Sequence, residues 1–189
     1  MCGIVGYFGN NDAVPLLIKG LKRLEYRGYD SAGLAIMSGD SFMVNKKAGK
    51  VAELESLVSE SELTGSVGIG HTRWATHGEP SDLNAHPHTD YSEKFALIHN
   101  GIIENHSTLK KLLEQKGVEF RTQTDTEVLV QLISTIYHEE DTTFQSAVTS
   151  ALEKIVGTYG IIVMCSDVPN QLIAARLGSP LVLGVGEGE

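Results

Sequence analysis

The chain has 189 residues and a net charge of −9, with 15 Lys and Arg against 24 Asp and Glu. This acidity argues against a nucleic-acid or anionic-membrane partner, since both need a basic surface patch. No apolar run approaches the ~20 residues of a membrane span, and no basic-then-apolar signal peptide begins the chain. Because only two cysteines occur, we expect no disulfide framework and a cytoplasmic location.

The first half of the chain alternates predicted strands and helices. Asp12 is a plausible N-cap, and Gly28 lies where the following helix would stop. A Ser-Gly-Asp turn inside residues 31–50 predicts a hairpin. The pattern predicts strands at 2–9 and 65–73, helices at 12–28 and 51–63, and this hairpin between them.

The second half begins with a polar stretch, residues 74–91, that has neither helical nor strand period, and such a stretch is usually functional or disordered. A strand with a break at Asn100-Gly101 follows. Thr124 and Glu127 predict a capping box. The remaining elements are helices at 106–117, 124–137 and 142–157, and closing strands at 159–167, 171–178 and 180–186. Strands early and late with clustered helices predict an α+β domain. Because the chain stops in strand-like sequence, we expect a fragment of something longer.

Cys2 follows the initiator methionine directly and becomes the N-terminus once Met1 is removed. An ordinary thiol has a pKa of ~8.5, so it needs a base to act as a nucleophile at neutral pH. The α-amino group of an N-terminal cysteine, with a pKa of ~7.7–8.0, can be that base. The simpler alternative is a small apolar residue at the start of an edge strand. Cys165, in an apolar stretch, is predicted to be a buried core thiol.

Two further pairs of residues fit amide chemistry on an amino acid. Asn100 and Gly101 offer a side-chain amide and a backbone N–H for a developing oxyanion, although an Asn-Gly turn explains the same dipeptide. The guanidinium of Arg73 could bind an α-carboxylate, and the carboxylate of Asp125 could bind an ammonium group. Taken singly, a surface cation for Arg73 and a helix-start residue for Asp125 are better explanations than ligand binding.

Other residues of the polar stretch have more than one interpretation. Thr76 and His77 could add polar contacts to a pocket. Trp74 could be a core anchor, but in a polar loop a lid or gate is the better interpretation. His86, His88 and nearby histidines invite a metal site, yet the chain has no HExxH or paired CxxC motif. We therefore predict no metal and no cofactor.

Six stretches together carry a resemblance to a known family: MCGIVGY, LEYRGYDSAG, HTRWATHGEPS, NAHPH, HNGIIEN and TDTE. They resemble the glutaminase (class II glutamine amidotransferase) domains of the glutamine–fructose-6-phosphate aminotransferase (isomerising) family, the glucosamine-6-phosphate synthases. RGYDSAG distinguishes these from the amidotransferases of purine and asparagine synthesis. The resemblance covers residues 1–189 as one glutaminase domain, without the C-terminal sugar isomerase domains.

The resemblance implies an N-terminal-nucleophile hydrolase fold, a four-layer αββα sandwich of two antiparallel sheets. It implies that Cys2 attacks the side-chain amide of L-glutamine, forming a thioester and releasing ammonia. By similarity, Asn100 and Gly101 form the oxyanion hole. Arg73 holds the carboxylate, Asp125 holds the amino group, Thr76 and His77 line the pocket, Trp74 gates ammonia passage, and Arg27 orients the nucleophile's end of the site from behind it.

The resemblance also implies partners. The fructose 6-phosphate site would lie on the missing isomerase domain, and this chain would supply the ammonia. Two alternatives remain open at this stage. One is a non-catalytic, amino-acid-binding regulatory module. The other is a hydrolase of different amides, such as N-acyl amino acids, whose pocket would be apolar where Arg73 and Asp125 lie.

Overall fold

The computed structural model describes residues 2–75 and 78–189, and its strands fall into two antiparallel sheets. The first sheet comes from the N-terminal part of the chain: β1 Gly3–Phe8, β2 Ser31–Ser38, β3 Ser41–Ala48 and β4 Val67–Arg73. Its spatial order is β1-β4-β2-β3, so the predicted hairpin is confirmed as β2 and β3. The register pairs Gly3 with Thr72. Cys2 therefore lies beside the end of β4.

The strands of the second sheet lie side by side in the order in which they occur along the chain. They are β5 His88–Thr89, β6 Phe95–Ile103, β7 Gly157–Cys165 and β8 Leu172–Leu177. The predicted break at Asn100-Gly101 is wrong, because β6 continues through both residues and Gly101 pairs with Tyr159. Gly101 has a φ of +140°, and a Cβ there would lie 2.0 Å from the carbonyl oxygen of Thr158. The glycine thus permits close strand pairing, not a turn.

The predicted third closing strand, residues 180–186, is also wrong. Gly178 has a φ of +75° and directs the chain away from β8, and Pro180 has no N–H to donate to a strand ladder. The apolar side chains of this segment are exposed instead, with 92% of Val182 and 85% of Leu183 accessible. The apolar run of PLVLGVG resembled a strand only in the sequence.

In the described part of the chain, five α-helices cover the sheets: α1 Ala13–Leu24, α2 Val51–Glu60, α3 His106–Gln115, α4 Asp125–Glu139 and α5 Phe144–Lys154. The predicted N-cap of α1 is confirmed, since Asp12 accepts a hydrogen bond from the N–H of Val14. At α4 the Thr124 hydroxyl accepts from the N–H of Glu127 at 3.2 Å. The Glu127 carboxylate, however, accepts from the N–H groups of Arg121 and Thr122, so only half of the predicted capping box forms.

Three apolar clusters define four layers. Alternate residues of one strand enter different clusters, as the period of a strand requires: Leu34 and Ile36 pack under α1 and α2, whereas Ala35 and Met37 face the second sheet. In the second sheet, Phe95 and Leu97 pack under α3, α4 and α5, and Ala96 and Ile98 face the first sheet. The predicted four-layer αββα sandwich is therefore confirmed. Within the described residues, none of the helices has the length and apolar content of a membrane span.

Gly33 in β2 lets the segment carrying His86 pass directly over the first sheet. A Cβ on Gly33 would lie 2.2 Å from the His86 carbonyl oxygen and 2.9 Å from that of Asn45. Both obstacles are backbone atoms, so neither can move as a flexible side chain would. This close approach places His86 at the cavity that forms the candidate site.

We predict that Gly33→Ala lowers the free energy of unfolding by about 1–3 kcal/mol through overpacking. Urea denaturation measures the change. Gly184→Ala is the matched control, because no atom of the described residues lies within 4 Å of a Cβ at that position, and its stability should match that of the wild type. Equal stability of the two variants would contradict the close approach.

Candidate functional site

A cavity of about 550 Å³ opens at the end of the sandwich where β1 begins and β4 ends. This volume lies within the range of small-molecule sites. Nine residues were predicted for the site, and seven of them line this one cavity: Cys2, Arg27, Arg73, Trp74, Asn100, Gly101 and Asp125. The other two, Thr76 and His77, lie outside the described residues together with Met1. Their predicted contacts, and the removal of Met1, stay predictions.

The Cys2 thiol is held by the backbone of Trp74. The Trp74 N–H donates to Sγ at 3.1 Å, and Sγ lies 3.5 Å from the Trp74 carbonyl oxygen. Burial raises the pKa of the Cys2 thiol, and the hydrogen bond from Trp74 lowers it by less. A thiol in this position needs a proton acceptor before it can act as a nucleophile.

Asn100 connects the second sheet to the first residue of the cavity. Its Nδ2 donates to the carbonyl oxygen of Cys2 at 3.0 Å, and its Oδ1 lies 3.0 Å from Nε2 of His71. The neighbouring Gly101 lines the same cavity. Asn100 and Gly101 therefore both lie in the cavity wall together with Cys2.

Arg73 and Asp125 place opposite charges in the wall of the cavity. Arg73 is 3% exposed, so it is not a surface cation. Its guanidinium donates to the carbonyl oxygens of Gly78 at 3.1 Å and Glu79 at 3.3 Å. Asp125 is 6% exposed and is the first residue of helix α4. Its carboxylate accepts a hydrogen bond from the N–H of Ile103 at 2.9 Å. A cavity that presents both signs suits a zwitterionic ligand.

Trp74 and Arg27 lie at the more open side of the cavity. Trp74 is 48% exposed and meets Tyr29 edge to face, with ring centroids 5.4 Å apart, so it is not a core anchor. The Nε of Arg27 donates to the hydroxyl of Tyr26 at 2.9 Å. The predicted gating and positioning roles of these two residues stay predictions.

Among the described residues, four buried histidines form a layer at the cavity: His86 and His99, which line its wall, and His71 and His88. The rings of His71 and His86 stack with centroids 4.1 Å apart, and His88 meets His86 edge to face. Burial lowers the pKa of all four, that of His71 to about 3. Within residues 2–75 and 78–189, no group of three or more His, Cys, Asp or Glu side chains could hold a metal ion.

Three residues that the sequence analysis missed hold the site in place. Asp30 accepts hydrogen bonds from the N–H of Ala75 and the hydroxyl of Ser31, which fixes the backbone that holds the Cys2 thiol. The hydroxyl of Ser179 donates to the carbonyl oxygen of Asn100 at 3.4 Å. Thr126 bonds two of the buried histidines. Asp30 lies inside the RGYDSAG stretch, but nothing in the local pattern indicated the roles of Ser179 and Thr126.

The sequence pattern of the family described as "glutamine amidotransferase domain" matches residues 71–186, more than half of the chain. Two curated relatives are glutamine–fructose-6-phosphate aminotransferases (isomerizing). The protein from Bacteroides thetaiotaomicron is 56% identical and that from Symbiobacterium thermophilum 51% identical, each over 100% of this chain. The chain spans 31% and 30% of the length of these two relatives.

Two solved structures share the fold. One is a glutamine phosphoribosylpyrophosphate amidotransferase from B. subtilis complexed with ADP and GMP, with a TM-score of 0.79 and 28% identity. The other is described as the allosteric regulatory enzyme of purine biosynthesis, with a TM-score of 0.80 and 29% identity. Each match covers 93% of this chain and 37% of the other chain. They support the assignment of the N-terminal-nucleophile hydrolase fold.

We predict that the free energy of unfolding falls as the pH is lowered below about 6.5. The folded-state pKa values of the buried histidines lie below the ordinary value of 6.5. The unfolded chain therefore binds more protons than the folded chain in this range, so acid favours unfolding. The pH window extends down to the folded-state pKa of each histidine, which for His71 is about 3.

His88→Gln tests the cause, and the exposed His138 provides the control variant His138→Gln. Urea denaturation between pH 5 and pH 6.5 should give a slope against pH that is smaller in His88→Gln by up to about 1.4 kcal/mol per pH unit. The slope in His138→Gln should match that of the wild type. If His88→Gln keeps the full slope, His88 is not held neutral in the fold.

Proposed function

The chain belongs to the family of glutamine amidotransferase domains, and from this membership and the cavity we propose that it hydrolyses L-glutamine to L-glutamate and ammonia through a thioester on Cys2. One observation carries the proposal. A thiol, two candidate oxyanion donors and a buried pair of opposite charges line the same cavity of about 550 Å³. That combination suits the amide side chain and the zwitterionic end of one amino acid.

In the proposed first step, the Cys2 thiol gives its proton to the α-amino group that removal of Met1 would free, directly or through a water molecule. The sulfur then attacks the carboxamide carbon of glutamine. Negative charge develops on the carboxamide oxygen, where Nδ2 of Asn100 and the N–H of Gly101 would stabilise it. The tetrahedral intermediate collapses, the amine returns the proton to the leaving nitrogen, and ammonia departs.

In the proposed second step, water attacks the thioester, and the same oxyanion donors and amine serve again. Glutamate leaves and the thiol is restored. The guanidinium of Arg73 would hold the α-carboxylate and the carboxylate of Asp125 the ammonium group, with Thr76 and His77 adding contacts. Arg27 would orient the nucleophile's end of the site from behind it. Each step uses only groups of this chain and water, with no metal and no cofactor.

The fate of the ammonia is the second part of the proposal. The relatives named glutamine–fructose-6-phosphate aminotransferase (isomerizing) are about three times as long as this chain. We propose that residues 1–189 are the glutaminase domain of such an enzyme. The remaining length would then carry the sugar isomerase domain and the fructose 6-phosphate site, and glucosamine 6-phosphate would be the product. Trp74, half exposed at the cavity rim, would gate ammonia passage.

The free thiols Cys2 and Cys165 support a cytoplasmic location.

We predict that the protein, with Met1 removed as checked by intact mass, forms glutamate and ammonia in equal amounts from L-glutamine. Cys2→Ala should abolish turnover. Cys2→Ser should be much slower, because a hydroxyl is a poorer nucleophile without stronger base assistance. Cys165→Ala is the matched control, since that thiol is fully buried in β7, and it should retain activity below its unfolding temperature. Glutamine binding without turnover would instead favour the regulatory module.

We predict that Arg73→Gln and Asp125→Asn each raise the KM for glutamine more than tenfold, since a hydrogen bond to a charged group contributes ~1.5–3 kcal/mol. Steady-state kinetics on folded protein measure the change, and Arg23→Gln on the exposed face of α1 is the control. Asp125→Asn should also lower the ratio of activity on glutamine to activity on N-acetylglutamine. If neither KM nor that preference changes, the pocket does not bind a zwitterion and the hydrolase of N-acyl amino acids is favoured.

A further inference from the structure

His71 lies in β4 two residues before Arg73, and it is completely buried. It sits one layer behind the cavity wall that Asn100 forms. Its Nε2 lies 3.0 Å from Oδ1 of Asn100 and 3.1 Å from the carbonyl oxygen of His99. Neither the cavity lining nor the proposed mechanism uses this side chain, yet it contacts a proposed oxyanion donor directly.

The contacts of His71 determine its tautomer. A backbone carbonyl oxygen can only accept a hydrogen bond, so the Nε2 that faces the His99 carbonyl must carry a proton. In a neutral imidazole, Nδ1 is then an unprotonated acceptor. That atom has no partner among the described residues, and burial holds the pKa of His71 at about 3. The ring therefore stays neutral, with its one N–H directed at Asn100 and His99.

This N–H also determines which way the Asn100 amide points. The end that faces the donor must be Oδ1, which leaves Nδ2 to donate one hydrogen to the Cys2 carbonyl oxygen and one to a ligand. In the flipped amide, Nδ2 would face the His71 N–H, and Oδ1 would face the Cys2 carbonyl oxygen. Both hydrogen bonds would be replaced by contacts between like partners, in a buried position where such contacts are costly.

The plane of the His71 ring is itself fixed by neighbouring groups. The His86 ring stacks on it at 4.1 Å with an interplanar angle of 23°. His86 is anchored in turn, because its Nε2 lies 2.9 Å from the hydroxyl oxygen of Thr126. That hydroxyl also bonds Nδ1 of His99. The ring that orients Asn100 thus rests on a second hydrogen-bonded ring and cannot rotate without moving it.

We propose that His71 is a positioning residue for the reaction: its Nε2–H locks the Asn100 amide with the NH2 group directed toward the oxyanion that forms at Cys2. The inference rests on the proposed function, since it takes Asn100 as an oxyanion donor. It assigns His71, together with the His86 ring stacked on it, a task in orienting that donor, beyond filling the space between the sheets.

The kinetic test uses His71→Leu, which removes the donor, and His71→Gln, whose side-chain NH2 can replace Nε2–H. Removal of one oxyanion donor typically lowers kcat 10²–10³-fold. We expect Asn100→Ala to lower kcat by this amount. We expect His71→Leu to lower kcat more than tenfold and to change the KM less than threefold. His71→Gln should recover most of kcat. His88→Leu, an equally buried histidine bonded to Thr124 and not to Asn100, should keep kcat.

The double variant separates positioning from a general structural role. In the Asn100→Ala background, His71→Leu should lower kcat no further, because the group it orients is gone. If the two losses multiply, or if His71→Leu raises only KM, the inference is overturned. If Asn100→Ala itself has no effect, or the wild type does not hydrolyse glutamine, the proposed function fails instead. The two failures are therefore distinguishable.

A measurement on the wild type keeps the inference testable even if a His71 variant does not fold. Nitrogen-15 NMR of the histidine rings distinguishes a protonated Nε2 from a protonated Nδ1. We expect His71 as the neutral Nε2–H tautomer, unchanged from pH 7 to pH 5. A proton on Nδ1 would place an acceptor against Oδ1 of Asn100 and would refute the proposed lock.

Discussion

The geometry of the site depends on a hydrogen bond between its two halves: Nδ2 of Asn100 donates to the carbonyl oxygen of Cys2 at 3.0 Å across 98 residues of sequence. Asn100 belongs to the second sheet, and Cys2 precedes the first strand of the other. The two sheets pack through small and medium apolar side chains such as Ala35, Ala96 and Ile98, which bring their backbones close enough for this contact. The geometry of the nucleophile therefore depends on how the sandwich closes.

The constraint explains why so many polar groups lie buried at this end of the fold. The Asn100 amide keeps one direction only if a hydrogen-bond partner holds its oxygen atom. That partner must itself be held in place by neighbouring groups. Neutral histidines suit this task because each offers one donor and one acceptor at fixed positions, and burial keeps them uncharged. In the proposed arrangement His71 orients Asn100, while the charges of Arg73 and Asp125 remain in the cavity wall for a ligand.

Local patterns predicted most of the fold, and they failed where long-range pairing decided the outcome. Asp12 and Thr124 cap their helices as expected, since a cap is a contact between near neighbours. The dipeptide Asn100-Gly101 is compatible with a turn, but pairing with β7 keeps it in a strand. Residues 180–186 are apolar and strand-like in composition, yet Pro180 and the left-handed Gly178 remove them from the sheet. Neither outcome can be derived from short windows of sequence.

The sequence by itself determined the residue types of the site, because a thiol behind Met1, an amide beside a glycine and two opposite charges each carry their chemistry in the side chain. Its order of strands and helices also determined an α+β domain, whereas the four-layer αββα arrangement was an implication of the family resemblance. Only the tertiary structure decided that seven of these residues share one cavity, that Arg73 is buried, and that His71 supports Asn100. Those facts depend on strand register and sheet packing between distant segments, which no local preference encodes.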